Sequence, residues 1–343
     1  MSLLRYVTLF LLLLSFSVMV SAQEGSCSFK LEEAENLYET GVLDSIPSML
    51  RGCMADGFDD DELSRAYKLL ILTYLFEDYQ EMAELTMLKF LKKFPEYELK
   101  ANDPVEFKYL YESYQTVPVF SIGAVGGINY SFIRVIEPFG LSYDENVYGE
   151  YTSAGVGYQA GVQFIKYVNE HIDIHLDVIY NARKFDYTIQ QLDSRVEYDE
   201  NQSILSFPLT GTYNYRMGMI SAYARLGFSV DYRMSSTAGL SRYVDDNAGI
   251  DDITGSDLDI LADRSEINLA LVGGGGLKYH VKKGYVMLDI RYHFGVTNQV
   301  VEENRFANDE KWANYQYVDD DFAMNNLFIS AGYVFSIFKT RKK

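Results

Sequence analysis

The sequence has few cysteines, few basic residues and no long apolar run after its N-terminus. Two cysteines among 343 residues are too few for a disulfide-rich scaffold. The 30 Lys and Arg residues against 49 Asp and Glu residues give a net charge of −19, which excludes nucleic acid as a partner. Mean hydropathy is −0.12, and no later stretch has the length and apolarity of a membrane helix. A protein of this kind could cross a membrane only with strands.

Residues 1–22 have the pattern of a secretory signal peptide. Arg5 provides a positive start, "LFLLLLSFSVMV" the apolar core, and "VSA" before Gln23 a small-residue cleavage site. We therefore expect the mature chain to begin near Gln23, in an oxidising compartment. Cys27 and Cys53 are an even pair in an exported chain, which predicts one disulfide. No His lies near either cysteine, so a metal site is the weaker interpretation.

Residues 23–115 have helical periodicity and are predicted to form a small all-α domain in the periplasm. "LEEAENLYETG" stops on Gly41, a usual helix C-terminal cap. "DPVEFKYLYESY" places Asp103 as an N-cap and Pro104 at the first helical position. The helix pairs resemble tetratricopeptide-type (TPR-like) hairpins, with at most two units. Two interpretations stay open, an isolated helical domain or a docking module beneath the membrane.

From residue 116 to residue 343 the apolar period changes from helical to two. In "VFSIGAVGGINYSF" the apolar residues alternate with small and polar ones, and the pattern recurs seven more times. Eight segments of membrane-crossing length predict an eight-stranded antiparallel transmembrane β-barrel. Short turns alternate with long polar segments near 133–153, 186–202, 236–265 and 298–323, which we expect to be loops on one side. The competing fold is a soluble lipocalin-like barrel, which would bury the apolar alternates.

The last segment, "NNLFISAGYVFSIF", carries aromatic residues near its end, at Tyr333, Phe335 and Phe338. An apolar final strand of this kind resembles the signal read by the barrel-assembly machinery. We therefore expect that machinery to be a partner during insertion, and outer-membrane lipid to surround the finished barrel.

The charged residues at alternate strand positions are predicted to point into the barrel. An eight-stranded barrel is just filled by side chains, so these charges must pair. We expect an ion-pair plug, with a narrow ion path as the alternative. His175, His280 and His293 are also predicted inward, but no motif supplies a nucleophile, so we expect neither catalysis nor a cofactor. The predicted lumen residues are Asp173, Asp177, Arg183, Arg216, Arg225, Asp231, Arg233, Asp289 and Arg291.

Two of the long loops have further features. The acidic segment "YVDDNAGIDDITGSDLDILADRSE" does not match the spacing of a twelve-residue Ca²⁺ loop, so a solvated loop is expected. The fourth loop holds the only Trp of the chain, Trp312, with Tyr315 and Tyr317 nearby. Aromatic residues beside polar ones suit a binding surface, so these three are candidate loop contacts.

Five motifs resemble the PorT-like outer-membrane β-barrel family of Bacteroidota: "GINYSF", "LSFPLTGTYNY", "AYARLGFSVDY", "GGGGLKYHV" and "VMLDIRYHFGV". The resemblance covers about residues 117 to 338. It implies an outer-membrane location, and since the family includes a component of the type IX secretion system, it also implies membership of an envelope machine. The leading hypothesis is a non-enzymatic accessory or scaffold subunit of a complex for protein export or outer-membrane protein assembly, with outer-membrane or periplasmic proteins as partners. The alternatives are a stand-alone barrel that binds a ligand through its loops, and a narrow channel.

Overall fold

The computed structural model describes residues 24–139, 149–152, 155–190, 194–244 and 251–343, and the predicted signal peptide lies outside them. The chain divides into two compact units. The helical unit contains the chain up to Val117 together with Phe338–Lys343, and the barrel unit contains Pro118–Ile337.

The helical unit confirms that a helical domain precedes the barrel. Gly41, after the first helix, has φ +79°, a conformation that favours glycine, so it ends that helix as predicted. The fourth helix begins with a capping box, in which the Asp59 side chain accepts from the backbone of Glu62 and the Glu62 side chain accepts from the backbone of Asp59. The helices are α1 (Glu24–Glu39), α2 (Ile46–Arg51), α3 (Cys53–Asp56), α4 (Asp60–Phe76), α5 (Gln80–Lys93) and α6 (Val105–Glu112).

The predicted disulfide is present between Cys27 of α1 and Cys53 of α3, with their Cα atoms 5.6 Å apart. It closes a sequence separation of 26 residues. In the chain-entropy estimate, a loop of this size stabilises the helical unit by about 3.5 kcal/mol. Leu31 of α1 and Leu50 of α2 are buried in one hydrophobic core.

The prediction that Asp103 is the N-cap of α6 is wrong, because the capping position is Pro104. The Asp103 carboxylate instead accepts hydrogen bonds from Lys68 Nζ and the Tyr97 hydroxyl, both at 2.7 Å, and from the Lys100 amide. Burial raises the pKa of Asp103, but these hydrogen bonds outweigh it and hold the pKa below its usual value. Asp103 thus ties the segment before α6 to α4.

No helix among the described residues has the length and apolarity needed to cross a membrane.

The barrel is a closed antiparallel ring of eight strands, as the alternating pattern predicts. The ring order is β1, β3, β4, β5, β6, β9, β10 and β11, and β11 pairs with β1 to close it. Three short strands, β2, β7 and β8, pair with ring strands outside this order. The strands are β1 (Tyr114–Glu137), β2 (Gly149–Thr152), β3 (Gly157–Tyr167), β4 (Ile172–Gln190), β5 (Ser194–Met217), β6 (Ile220–Val244), β7 (Ile253–Thr254), β8 (Leu258–Asp259), β9 (Ile267–Val281), β10 (Gly284–Gly295) and β11 (Asp321–Lys342).

The apolar alternates face outward and the polar alternates face the interior of the ring. Leu226, Leu288 and Ile290 are 74%, 60% and 56% exposed, whereas Asp177 and Arg225 are buried. A soluble barrel would have the reverse arrangement, so the lipocalin-like alternative is excluded. Outward apolar side chains on every ring strand are what lipid requires.

Strands β5 and β6 have 24 and 25 residues, far more than the roughly 9–11 that cross a bilayer. The predictions of loops at 186–202 and 236–265 are therefore partly wrong, since β4 runs to Gln190, β5 begins at Ser194 and β6 runs to Val244. These extensions form a second layer of structure beyond the ring. We call it the cap, and it comprises residues 149–152, 184–190, 194–202, 235–244, 251–266 and 297–321.

The cap has its own hydrophobic core, which explains why its strands continue. Phe185, Tyr187, Val196 and Tyr198 alternate inward along β4 and β5 and are almost fully buried. Tyr315 and Tyr317 of the fourth loop, which follow a short helix α7 (Asp309–Asn314), belong to the same core. Tertiary burial thus keeps in strand conformation a segment whose polar composition predicts a loop.

Candidate functional site: the charged lumen and its cap

The lumen holds a network of buried charges in the membrane-spanning part of the ring. Eight of the nine predicted lumen residues are buried, the exception being Arg216. The prediction for Arg216 is wrong because it lies beside the β5–β6 turn, where its Nε donates to the Gly218 carbonyl and its side chain is exposed. At Arg216 the strand extends beyond the closed ring, so an inward-facing side chain there is not enclosed.

Two arginines and two aspartates form the centre of the lumen network. Arg291 Nη1 lies 2.9 Å from Asp177 Oδ2, and its Nε lies 2.5 Å from Asp289 Oδ2. Arg225 lies between the same carboxylates, 3.4 Å from Asp289 and 3.7 Å from Asp177. The Tyr223 hydroxyl donates to Asp289 at 2.6 Å. Opposite charges are therefore matched two against two in a site without solvent access.

Further ion pairs lie on either side of this centre. Lys278 Nζ is 2.9 Å from Asp173 Oδ2, and Arg183 Nη2 is 2.7 Å from Asp231 Oδ2. His175 Nε2 is 3.5 Å from Asp173. Each predicted lumen aspartate thus has a cationic neighbour.

Glycine at 274 and 276 permits close approach of the neighbouring strand. A Cβ at Gly274 would lie 2.3 Å from the Ile290 carbonyl oxygen. A Cβ at Gly276 would lie 2.0 Å from the Leu288 carbonyl oxygen and 2.7 Å from the Tyr223 hydroxyl. Both positions therefore require glycine for β9 to pack against β10.

Arg233, predicted as a lumen residue, is buried but contacts the cap. Its Nη1 lies 3.7 Å from Glu200 Oε1, its Nε donates to the Ser265 carbonyl at 3.1 Å, and its Nη2 donates to Gln299. Arg233 therefore links the lumen to a second group of charges, which sequence reasoning missed.

The second group, the cap cluster, consists of Glu200, Asp263, Arg264, Lys311 and Asp319. Arg264 Nη2 lies 2.7 Å from both Glu200 Oε2 and Asp319 Oδ1. Lys311 pairs with Asp319 and lies 3.0 Å from Asp263. All five side chains are buried or nearly so. The cluster joins a strand, the third loop and the fourth loop.

Three consecutive aspartates, two just before β11 and one at its first residue, connect different loops. Asp319 binds Arg264 of the third loop, and Asp321 Oδ1 lies 2.6 Å from Arg305 of the fourth loop. Asp320 accepts from the Phe139 amide at 2.7 Å and from the Tyr151 hydroxyl at 2.8 Å, both in the first loop segment.

The pKa values of the first two aspartates move in opposite directions. Burial raises the pKa of Asp319, but Arg264 and Lys311 more than offset it, so the pKa lies below its usual range. Burial, with the charge of Asp319, raises the pKa of Asp320 despite its hydrogen bonds. Asp319 is therefore held ionised, whereas ionisation of Asp320 is disfavoured.

Two of the three candidate loop contacts are buried, which is a correction to the sequence interpretation. Tyr315 and Tyr317 are each 3% exposed. Tyr317 stacks on Tyr198 with ring centroids 4.4 Å apart, and its hydroxyl donates to Asp319 at 3.1 Å. They belong to the core of the cap because the fourth loop folds back over β5. Trp312 is 39% exposed and is available at the surface.

The predicted assembly-signal residues lie on both faces of β11. Tyr333 and Phe335 are 46% and 47% exposed and share the outward face. Phe338 is half-buried and has the opposite phase in the strand. The structure thus groups Tyr333 and Phe335 and separates Phe338 from them.

A serine–histidine contact is the closest approach to a catalytic arrangement. Ser221 Oγ lies 2.8 Å from His280 Nε2 in the part-buried end of the barrel. Among the described residues no carboxylate hydrogen-bonds to His280, so a hydrolase triad would lack its orienting group there. Within the same described residues, no group of three or more acidic, His or Cys side chains is arranged to hold a metal ion.

A closed eight-stranded ring with a polar interior and an apolar exterior defines an outer-membrane β-barrel protein. Residues 114–300 match the family described as "Outer membrane protein beta-barrel domain", and the chain belongs to this family. Outer-membrane localisation follows from it. No curated protein matches the chain.

Solved outer-membrane barrels are similar to the chain at low identity. Neisserial surface protein A is 14% identical, with 64% of this chain and 97% of that chain covered and a TM-score of 0.31. OprG from Pseudomonas aeruginosa is 11% identical, with coverage of 64% and 98% and a TM-score of 0.31. Ail of Yersinia pestis is 13% identical, with coverage of 64% and 100% and a TM-score of 0.26. Similarity at this level carries no information about function.

Proposed function

We propose that the protein is a non-enzymatic accessory or scaffold subunit of an outer-membrane complex for protein export or outer-membrane protein assembly. Its barrel anchors it in the membrane, and its helical unit, in the periplasm, binds another outer-membrane or periplasmic protein. The PorT-like motifs of the barrel and the TPR-like pairing of α4 with α5 support this assignment.

The observation that carries the proposal is the exposed apolar surface of the helical unit. Met82, Leu85 and Leu88 repeat every three residues along α5 and are 44%, 53% and 37% exposed. Phe76 and Tyr109 are 72% and 74% exposed. Large apolar side chains outside the lipid-facing strands mark a protein interaction surface.

The filled lumen supports an anchoring role over transport. The two central arginines and two central aspartates are buried and paired across the interior. An eight-stranded barrel has little interior space beyond that needed for its own side chains. We therefore expect no conductance in planar bilayers, and a stable single-channel current would contradict the assignment.

The test is a tagged pull-down of the full chain from membranes in mild detergent, with co-purifying proteins quantified. Stoichiometric recovery of a second envelope protein is expected. Replacing both Leu85 and Tyr109 by serine should remove that protein, whereas the matched change of exposed Lys89 to serine should not. Recovery of the chain alone, as a heat-modifiable monomer, would contradict a subunit role.

A second candidate function, binding of a ligand or surface partner through the cap, is favoured by one observation. Phe306 and Trp312 of the fourth loop are 58% and 39% exposed on a cap whose other aromatic residues are mostly buried. Changing both to serine should then abolish binding to whole cells or surface polymers while leaving the pull-down partner bound. Loss of the pull-down partner in this variant would instead assign the docking surface to the cap.

A further inference from the structure

The beginning of β1 and the end of β11 form a two-stranded ribbon within the helical unit. The Lys343 amide donates to the Ser113 carbonyl at 2.8 Å, and the hydroxyls of Thr116 and Thr340 lie 3.0 Å apart. Arg341 also contacts the Gln115 side chain at 3.3 Å. These contacts share one antiparallel register, in which 343 is opposite 113 and 340 is opposite 116.

The β11 side of this ribbon is an open strand edge. Pairing of β11 with β10 ends at Phe335, and the Ser336 amide makes the next bond, to the Lys283 carbonyl. Backbone groups alternate between the two edges of a strand, so those of Thr340 and Lys342 point the same way as those of Ser336, away from β1. No other strand in the described part of the chain pairs with this edge.

The open edge carries positive charge. Residues 339–343 contain four basic side chains and no acidic one, and the paired segment 114–118 is uncharged. Lys339, Arg341 and Lys343 are exposed. Lys342 is 57% exposed and lies 2.8 Å from Glu84 of α5. An extended segment that pairs here would be attracted if it were acidic and repelled if it were basic.

A groove of about 540 Å³ meets the ribbon at Ser113 and Lys342. Leu75, Tyr109 and Leu110 provide its apolar lining, and Tyr109 is largely exposed. The edge offers backbone hydrogen bonds and the groove offers a place for a side chain, which is the combination used when a peptide adds a strand to a sheet.

We propose that the open edge of β11 in this ribbon binds an extended acidic segment of a partner protein as an additional strand. The inference rests on the proposed scaffold function and names the kind of segment that the helical unit takes. The edge supplies hydrogen bonds from Thr340 and Lys342, and the basic side chains supply specificity.

The binding test uses two synthetic octapeptides and the full chain in detergent. One peptide alternates valine with glutamate and the other alternates valine with lysine, both acetylated, amidated and labelled with fluorescein. Fluorescence anisotropy should show saturable binding of the glutamate peptide and binding of the lysine peptide weaker by about tenfold or more. Equal affinity for the two peptides, or affinity for neither, would overturn the proposal and leave the lysines as guards against edge pairing.

Variants locate the binding to the edge. Thr340→Pro removes an edge-facing N–H and leaves the β1-facing groups in place, and it should weaken the glutamate peptide about tenfold, whereas Thr340→Val should not. Changing both Lys339 and Arg341 to glutamate reverses their charge and should invert the preference between the two peptides. This second variant tests the proposal even if the proline variant does not fold. Undiminished binding to either variant, or capture by phosphatidylglycerol vesicles with no peptide binding, would overturn the proposal.

The pull-down separates failure of this inference from failure of the proposed function. If the partner is lost with the Leu85 and Tyr109 changes but fully retained with Thr340→Pro, the scaffold function stands and the edge is not its binding site. If no partner is recovered by the unmodified chain, the scaffold function itself fails.

Discussion

The lumen network and the cap cluster are both buried groups of paired charges, but they are built in different ways. The lumen network comes from regular strands, in which the charged residues occupy alternate, inward-facing positions. The cap cluster joins residues far apart in the sequence, such as Glu200, Arg264 and Lys311, and two of these three lie outside strands. The first group is surrounded by a closed ring in lipid, and the second lies beyond the bilayer.

This difference decides how each group responds to damage. A ring strand cannot leave the barrel without exposing unpaired backbone groups to lipid, so the lumen should fail only with the whole barrel. The cap can open into water while the ring stays closed, so its failure should be local. Substitutions in the two groups should therefore have different consequences.

The largest effect is expected for Arg291→Leu in the lumen. Asp177 and Asp289 would then share a single cation, Arg225. Removing one partner of a buried ion pair lowers the free energy of unfolding by about 3–5 kcal/mol. The unfolding midpoint in urea, measured for protein refolded into lipid vesicles, should fall for the whole barrel. Loss of cap resistance to protease without a change in the barrel midpoint would contradict the expectation.

Arg264→Leu should have a smaller and local effect. It removes the arginine that Glu200 and Asp319 share. Leaving such buried groups unsatisfied lowers the free energy of unfolding by about 2–3 kcal/mol, and less where water reaches them. Limited proteolysis should cut the cap faster than in the unmodified chain, while the heat-modifiable shift of the barrel is retained. A barrel that loses this shift would show that the cap and the ring unfold as one.

The pH dependence of the cap should depend on which aspartate is changed. Because the pKa of folded Asp319 is lowered, its stabilisation is present above the ordinary aspartate pKa of about 3.9 and is lost as the pH falls below it. Asp319→Asn should make the cap more sensitive to protease at neutral pH and remove this loss in acid. Stability measured by pulse proteolysis from about pH 2 to 7, the range in which carboxyl groups titrate, checks both expectations.

Asp320→Asn should act in the opposite direction. The raised pKa of Asp320 means that the ionised form destabilises the folded cap as the pH rises past the ordinary value. An amide keeps an oxygen acceptor and removes the charge, so resistance at neutral pH should rise or stay unchanged. Equal destabilisation by the Asn variants of Asp319 and Asp320 would contradict the assigned directions.

The smallest effect is expected for Arg195→Leu, whose partner is Glu197. Their side chains are 53% and 36% exposed, and a surface ion pair of this kind contributes less than about 1 kcal/mol. Proteolysis of the cap and the barrel midpoint should both be unchanged within error. The variant is the matched control for Arg264→Leu, because both remove an arginine from the cap.

The ring and its lumen could be predicted from the sequence because period two determines which face each residue occupies. Once Ile174 and Leu176 are assigned outward, Asp173, His175 and Asp177 must face inward. Arg216 was misplaced because the pattern does not show where a strand passes the end of the ring.

The cap could not be predicted in the same way, because its contacts depend on how the long segments fold back. Tyr315 and Tyr317 sit in a polar stretch typical of an exposed loop, and only the nearby strands β4 and β5 bury them. One signal was available, since Phe185, Tyr187, Val196 and Tyr198 continue the two-residue alternation into segments that are otherwise polar.

The aspartates at 319–321 have a consequence for the order in which the molecule is completed. They lie just before and at the first residue of β11, the last ring strand of the described residues, and they carry the contacts to the first, third and fourth loop segments. These contacts of the earlier loops therefore cannot form until β11 is in place. A barrel that lacked β11 would leave the loop partners of these three carboxylates without them, so closure of the cap reports that β11 has joined the ring.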